Sequence, residues 1–277
     1  MKQFLLSAPP DRDGLVRISG EDFHYLVHVR RLKAGDRFNA RLPDPGGGSF
    51  PLPGTPVLLE LRSLGQGVLT AAVLGEVPDS VPLLPPILLF QALPKGSRMD
   101  LIVRQAAEGG IHEIVPFAAE YSIIKSGDLR DGGEKPRRWG RIIREALQQS
   151  GSPVPTSLHR PLDADGLFAY WEELKAARPR ALGIFLHQES EDWGSPAPPL
   201  AERSFHRYLS TIPEILALAI GPEGGFSPAE ALRFLKADFK PLAIGDTVLR
   251  TETAALYGAA AARVILLERE TWIQKLR

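Results

Sequence analysis

Five short apolar runs, alternating with stretches of helical periodicity, set the narrowest limit on what this chain can fold into. They are "PILLFQAL" from Pro86, "HEIVPF" from His112, "ALGIFLH" from Ala181, "ILALAI" from Ile215 and "KPLAIG" from Lys240. A strand that is apolar on both faces has to be covered on both faces. Alternation with helices supplies that cover, so the pattern predicts an α/β fold with a mainly parallel sheet between helical layers. The helical stretches are "GSRMDLIVRQAAEGG", "KPRRWGRIIREALQQS", "GLFAYWEELKAA", "SPAEALRFLKA" and a long Ala-rich helix from about Glu252. In the first of them Ser97 and Asp100 have the spacing of a capping box.

The preceding segment has a different texture. "VLLELRS" and "GVLTAAVLGEV" read as strands, "EDFHYLVHVRRL" as one short helix, and "NARLPDPGGGSFPLPG" as a loop. Residues 1–77 are therefore expected to form a small β-barrel with a helix. The run "PDSVPLLPP", 78–86, holds four prolines and reads as a linker, leaving 87–277 for the α/β domain. Lys+Arg 33 against Asp+Glu 33 gives zero net charge, so a nucleic-acid partner has to be met by local basic faces. The absence of cysteine excludes disulfides and thiolate chemistry and fits a reducing cytoplasm. "MKQFLLSAPPDRDG" has too short an apolar run for a signal peptide, and no stretch approaches a membrane span.

Chemistry is concentrated where "ILALAI" empties into "GPEGGFSPAE". A phosphate loop needs a lysine that is absent here, and Glu223 would repel an anion. The glycines do not match the dinucleotide fingerprint. Gly225-Phe226-Ser227-Pro228-Ala229 approaches a nucleophile elbow, but the residue after the serine must donate an N–H, and Pro228 has none. Ser227 as N-cap, Pro228 at the first helical position and Glu230 three residues on form a helix start instead. What is left is a tight main-chain turn at the carboxyl end of a buried strand, where ligands sit in open α/β sheets. A second strand, "LAIGDTVLRTETAALYG", runs to a glycine and a helix start in the same way, gathering Arg250, Thr251, Glu252 and Thr253. The strand exit "IFLHQESED" is a third candidate wall.

In "IGPEGGFSPAE" and "IGDTVLRTETAA" together the chain resembles the SPOUT-class methyltransferases, and among them the bacterial RsmE-type enzymes that methylate N3 of a uridine in 16S ribosomal RNA. "FHYLVHVRRLKAGDRF", "FQALPKGSRMDLIVRQAAEGGIHEIVPF" and "LHQES" extend the likeness over nearly the whole chain. The resemblance implies a PUA-like N-terminal RNA-binding domain, a C-terminal trefoil knot holding S-adenosylmethionine, and a homodimer. Carried over residue by residue, cofactor contacts fall on Leu186, His187, Gly221, Pro222, Glu223, Gly224, Ile244, Gly245, Leu249 and Thr253. Tyr121 and Ser152 stand where the family often has arginine.

For chemistry at uracil N3, Arg250 is the candidate to stabilise the developing anion, and Glu252 the candidate proton acceptor or a partner that holds Arg250. No metal is called for: His24 and His28 have i,i+4 spacing but no third ligand. Arg30, Arg31 and Lys33, then Lys95 and Arg98, then Arg138 with its basic neighbours, form three clusters expected to flank a two-domain cleft and meet phosphates of 16S ribosomal RNA or the small subunit. The competing readings are a ribose 2′-O-methyltransferase of the same class, a catalytically silent RNA-binding assembly factor, and a nicotinamide-dependent enzyme on the same sheet.

Overall fold

The computed structural model describes residues 2–43, 54–78, 84–123, 133–187, 204–244 and 247–275, without the side chains of 269–275. Its contacts divide the chain into two compact units, residues 1–81 with 147–155 and residues 82–146 with 156–277.

The first unit is a five-stranded sheet of β1 (Phe4–Leu5), β2 (Leu15–Ser19), β3 (Arg37–Arg41), β4 (Pro56–Gly65) and β5 (Val68–Glu76), in the order β1-β3-β4-β5-β2. The strands alternate as a half-buried sheet must. Val16 and Ile18 face inward, as do Val57, Leu59 and Leu61, and they pack with Phe4, Leu26, Phe38 and Leu69. Register shifts at Leu58/Leu59 and Leu61/Ser63 bend the long β4–β5 pair. No pairing joins β1 to β2 among the described residues, so the expected barrel is open. Two local expectations change. Asn39–Arg41, read as loop, belongs to β3, and the single helix divides into α1 (Gly20–His24) and a π-helical turn, Tyr25–Val29. Gln3 ties residues 147–155 into this unit by donating to the carbonyls of Leu147 and Ser152 at 3.1 and 2.8 Å.

The second unit carries β6 (Ile87–Ala92), α2 (Arg98–Glu108), β7 (Glu113–Phe117), α3 (Glu134–Ser150, whose last residues from Leu147 belong to the first unit), β8 (Ser157–Leu158), α4 (Ala164–Ala177) and β9 (Ala181–Leu186). These are followed by α5 (Phe205–Tyr208), β10 (Ile215–Ile220), α6 (Pro228–Lys236), β11 (Phe239–Leu242) and α7 (Thr251–Lys275). The strands form a parallel sheet in the order β11-β9-β10-β6-β7-β8, with β6 and β10 buried along their whole length. On one face Phe90, Trp171, Phe185, Phe234 and Phe239 interlock across β6, α4, β9, α6 and β11. The indole of Trp171 donates to the Ala237 carbonyl at 2.9 Å. On the other face α2 packs on α7, which lies across β6 and β10. Gly258 of α7 faces Leu186 and Ile220, at a distance where a Cβ would make ordinary contact with their side chains at 3.4–3.9 Å.

Helix starts agree with the sequence in one case and depart in another. At α6 the Ser227–Glu230 box forms with both of its hydrogen bonds. At α2 Ser97 makes no side-chain cap. Asp100 is claimed instead by the Trp139 indole at 3.2 Å and by Arg138 at 2.6 Å, so a tertiary pair replaces the local one.

His112 precedes β7, and its Nδ1 accepts the Ile87 N–H at 3.2 Å. Burial, aided by the Arg263 cation, lowers its pKa from 6.5 to about 4. The imidazole is therefore neutral when folded but charged when unfolded between those values. Its stability contribution is complete above pH 6.5 and is lost as the pH falls toward 4, at most about 3 kcal/mol. Glu113, raised by burial, acts in the opposite sense, its contribution fading as the pH rises through its folded pKa. His112→Asn, which keeps an acceptor without titrating, is expected to flatten the stability profile between pH 4 and 6.5; denaturant titrations across that range check it.

Candidate active site at the strand exits

The exits of β9, β10 and β11 lie side by side because parallel pairing in register brings their carboxyl ends to one edge. Leu186 is level with Ile220 and with Leu242. Together with the start of α7 they enclose a cleft of about 290 Å³. Its wall from β10 is the turn Pro222–Gly225, closed by the Gly225 N–H donating to the Pro222 carbonyl at 2.9 Å, with Gly225 at φ +71°. At Gly221 the space is tight: a Cβ would come within 3.1–3.3 Å of the Gly225 and Phe226 main chain, which would have to give by a few tenths of an ångström.

Polar side chains fix this turn from behind. The Thr251 hydroxyl donates to the Gly221 carbonyl at 2.7 Å and accepts from Gln91 Nε2 at 3.0 Å. Gln91 is fully buried, and its Oε1 has no hydrogen-bond partner. Glu223 Oε1 accepts the Lys95 N–H at 3.0 Å and pairs with Arg98 Nη1 at 2.7 Å, while Arg98 Nε lies 3.7 Å from Glu252 Oε2. The carboxylate that argued against a phosphate loop is thus already engaged. The cleft wall combines apolar side chains, among them Leu186, Ile220, Leu242 and Leu249, with main-chain donors and acceptors. Glu223 and His187 are its only ionisable lining residues among those described, and burial lowers the His187 pKa, favouring neutral imidazole. Without a lysine or arginine on the wall, such a cleft suits an uncharged heterocycle and its sugar better than a polyphosphate.

Most of the residues singled out from the sequence come together here. Leu186, His187, Gly221, Pro222, Glu223, Gly224, Ile244 and Leu249 line the cleft, whereas Gly245 lies outside the described residues. Thr251 and Ala254 line it in place of Thr253. Arg250 is exposed before α7, and among the described residues it has no ion-pair partner; Glu252 pairs with Arg98 instead of Arg250. Tyr121, half exposed, packs against Gly224. Of the expected RNA contacts, Arg30, Arg31 and Lys33 are exposed in the first unit, with Arg31 in a left-handed conformation at φ +57°. In the second unit Lys95 is exposed, while Arg98 and Arg138 are paired with carboxylates. The His24 and His28 rings stand 4.9 Å apart, and no group of three metal-binding side chains occurs among the described residues. Sequence reasoning missed Gln91 because nothing near it marks a buried amide as part of a site 160 residues away.

Known proteins share this chain's sequence pattern and fold. A family model described as an RNA methyltransferase domain matches residues 82–263, and one described as an RNA methyltransferase PUA domain matches 18–43. Ribosomal RNA small subunit methyltransferase E of Bacillus subtilis is 28% identical over 88% of this chain and 88% of its own. The protein of the same name from Synechocystis is 30% identical over 92% of this chain and 74% of its own. A crystal structure of ribosomal RNA small subunit methyltransferase E from Neisseria gonorrhoeae, bound to S-adenosyl methionine, superposes with a TM-score of 0.72 at 22% identity, covering 96% and 98% of the two chains. The expected fold class, a parallel α/β domain following a PUA-like one, therefore holds. The exits through which a knot would thread include 188–203 and 245–246, outside the described residues.

Ser227 is a cap and not a nucleophile on this geometry. Ser227→Ala is expected to lower stability by about 1 kcal/mol, read as a drop of a few degrees in thermal unfolding, and a fluorophosphonate probe should leave the wild-type chain unlabelled.

Proposed function

Because the chain belongs to the RNA methyltransferase family, among relatives named ribosomal RNA small subunit methyltransferase E, we propose that it transfers a methyl group from S-adenosylmethionine to N3 of a uridine in 16S ribosomal RNA. One observation carries the reading: a cleft walled mainly by main chain and apolar side chains, without a lysine or arginine among its described lining residues, opens beside the Arg250–Glu252 helix start. The residues present fit such a donor. The adenosine has apolar walls and peptide groups to meet, and Gly221 leaves the turn tight enough to present them. When bound, the donor supplies an electrophilic sulfonium methyl.

The chain's own residues then have three tasks. The turn at Gly221–Gly225 and the β11 exit fix the donor. Arg250, exposed and without a carboxylate partner among the described residues, stabilises negative charge on the uracil ring. Glu252 accepts the N3 proton; its Oε2 is buried with no hydrogen-bond partner, which leaves it room for one donor. Without that proton N3 would hold the electron pair that takes the methyl group, leaving the donor as the neutral thioether. Arg30, Arg31, Lys33 and Lys95 meet RNA phosphates. The enzyme acts in the cytoplasm without a metal. It acts as a homodimer, supported by an apolar groove of about 310 Å³ between α2 and α7 lined by Ile102, Ala106, Ala255, Ala259 and Val264. Residues 1–77 serve as the RNA-binding module and 87–277 as the catalytic one.

Incubation with small ribosomal subunits or their RNA, followed by nucleoside mass spectrometry, is expected to yield N3-methyluridine. A ribose-methylated nucleoside would replace this reading with the 2′-O one, and no methyl transfer would leave an RNA-binding factor. Arg250→Ala is expected to slow single-turnover transfer about 100-fold with the donor Kd changed less than threefold. Gly221→Ala is expected to do the reverse first, weakening donor binding about tenfold by calorimetry, because the new Cβ forces the turn open.

A further inference from the structure

The network around Arg98 assigns this residue a role other than the RNA contact suggested by its place in a basic cluster. Taking the methyltransferase reading as its basis, we propose that Arg98 is a positioning residue that couples the donor-binding turn to Glu252. It is the first residue of α2, where the helix dipole disfavours a cation, so something must hold it there. Two carboxylates do. Its Nη1 lies 2.7 Å from Glu223 Oε1, on the turn that walls the cleft, and 3.4 Å from the Lys95 carbonyl. Its Nε lies 3.7 Å from Glu252 Oε2, the buried oxygen without a hydrogen-bond partner.

The guanidinium hydrogen-bonds Glu223 through Nη1 and stands at ion-pair distance from Glu252 through Nε, a two-sided reach that a single ammonium lacks. The same turn and the same helix start are joined a second time, by the Thr251 hydroxyl on the Gly221 carbonyl. These two linkages share both ends, so a shift of the turn on donor binding must move Glu252, and the orientation of Glu252 feeds back on the turn. Arg98, Glu223 and Glu252 carry one positive and two negative charges. A phosphate approaching Arg98 meets both carboxylates, whereas a cation does not face that repulsion.

The test compares Arg98→Ala, Arg98→Lys, Glu223→Gln and the Arg98→Ala/Glu223→Gln double variant with the wild-type protein. Each is checked for an unfolding midpoint within a few degrees of wild type. Three quantities are read: donor Kd by calorimetry, affinity for the small-subunit RNA as a function of salt, and single-turnover transfer rate. Arg98→Ala should weaken donor binding about fivefold and slow transfer more than that, with RNA affinity and its salt slope unchanged. Arg98→Lys should recover donor binding but not rate. The double variant should bind donor no more weakly than the worse single one, since partners in one linkage are not additive.

Reduced RNA affinity with a salt slope smaller by about one and normal donor binding would make Arg98 a phosphate contact. Additive losses of donor binding, or unchanged donor binding with a lower unfolding midpoint alone, would equally overturn the coupling. Donor uptake by the wild-type chain with a product other than N3-methyluridine would sink the proposed function while leaving the coupling measurable. No donor uptake by the wild-type chain would sink both.

Discussion

The hydrogen bond from the Thr251 hydroxyl to the Gly221 carbonyl is the point at which sheet, turn and helix become one structure. The carbonyl ends a strand buried on both faces, and Thr251 is itself buried, so neither group has water to turn to. Left unpaired, such a group costs about 1–3 kcal/mol. Gln91 in turn donates to Thr251 from β6, the strand next to β10. A chain of donors therefore runs from the middle of the sheet to the turn that walls the cleft. The cleft owes its shape to that chain, since a turn of two glycines has little stiffness of its own.

The distribution of charge follows from the same arrangement. Interior strands end in peptide groups that need partners, and the sequence supplies hydroxyl and amide groups to them in place of cations. The charged side chains sit one layer out, as the Glu223–Arg98–Glu252 series beside the turn. A cleft lined in this way disfavours anions, because no lysine or arginine among its described lining residues offsets the desolvation of a phosphate and the Glu223 carboxylate adds repulsion. That carboxylate also braces the turn through Lys95 and Arg98.

How much of this could be read from residues depended on sequence distance. The capping box at Ser227 and Glu230 was legible because its members are three residues apart and the local bond survives on Glu230 Oε2, while Oε1 takes the distant Glu120 N–H at 2.8 Å. The same spacing at Ser97 and Asp100 misled, because Trp139 and Arg138 reach Asp100 from another helix. The five apolar runs announced a parallel sheet, but their order across it is set by packing between segments that local patterns do not report. Thr253 was favoured where Thr251 lines the cleft. Thr253 is what the resemblance implies, and two residues along a helix turn a side chain by about 200°, so Thr251 and Thr253 leave α7 on different faces. Gln91 was illegible: an amide inside an apolar strand reads as a blemish until its partner is known.

A neutral protein that handles RNA must also decide where to leave cations unspent. Arg98 and Arg138 belong to segments whose basic composition suggests phosphate binding, yet each is matched by a carboxylate within 2.7 Å. Arg30, Arg31 and Lys33 differ: among the described residues no carboxylate side chain pairs with theirs. They follow a π-helical turn and include a left-handed arginine, backbone features that cost energy and persist where a particular display of side chains is held. Sequence clusters count charge, while the structure separates charge committed to the fold from charge left for a partner. On that division Arg98 and Arg138 are committed to carboxylates of the second unit, while Arg30, Arg31 and Lys33 remain exposed in the first.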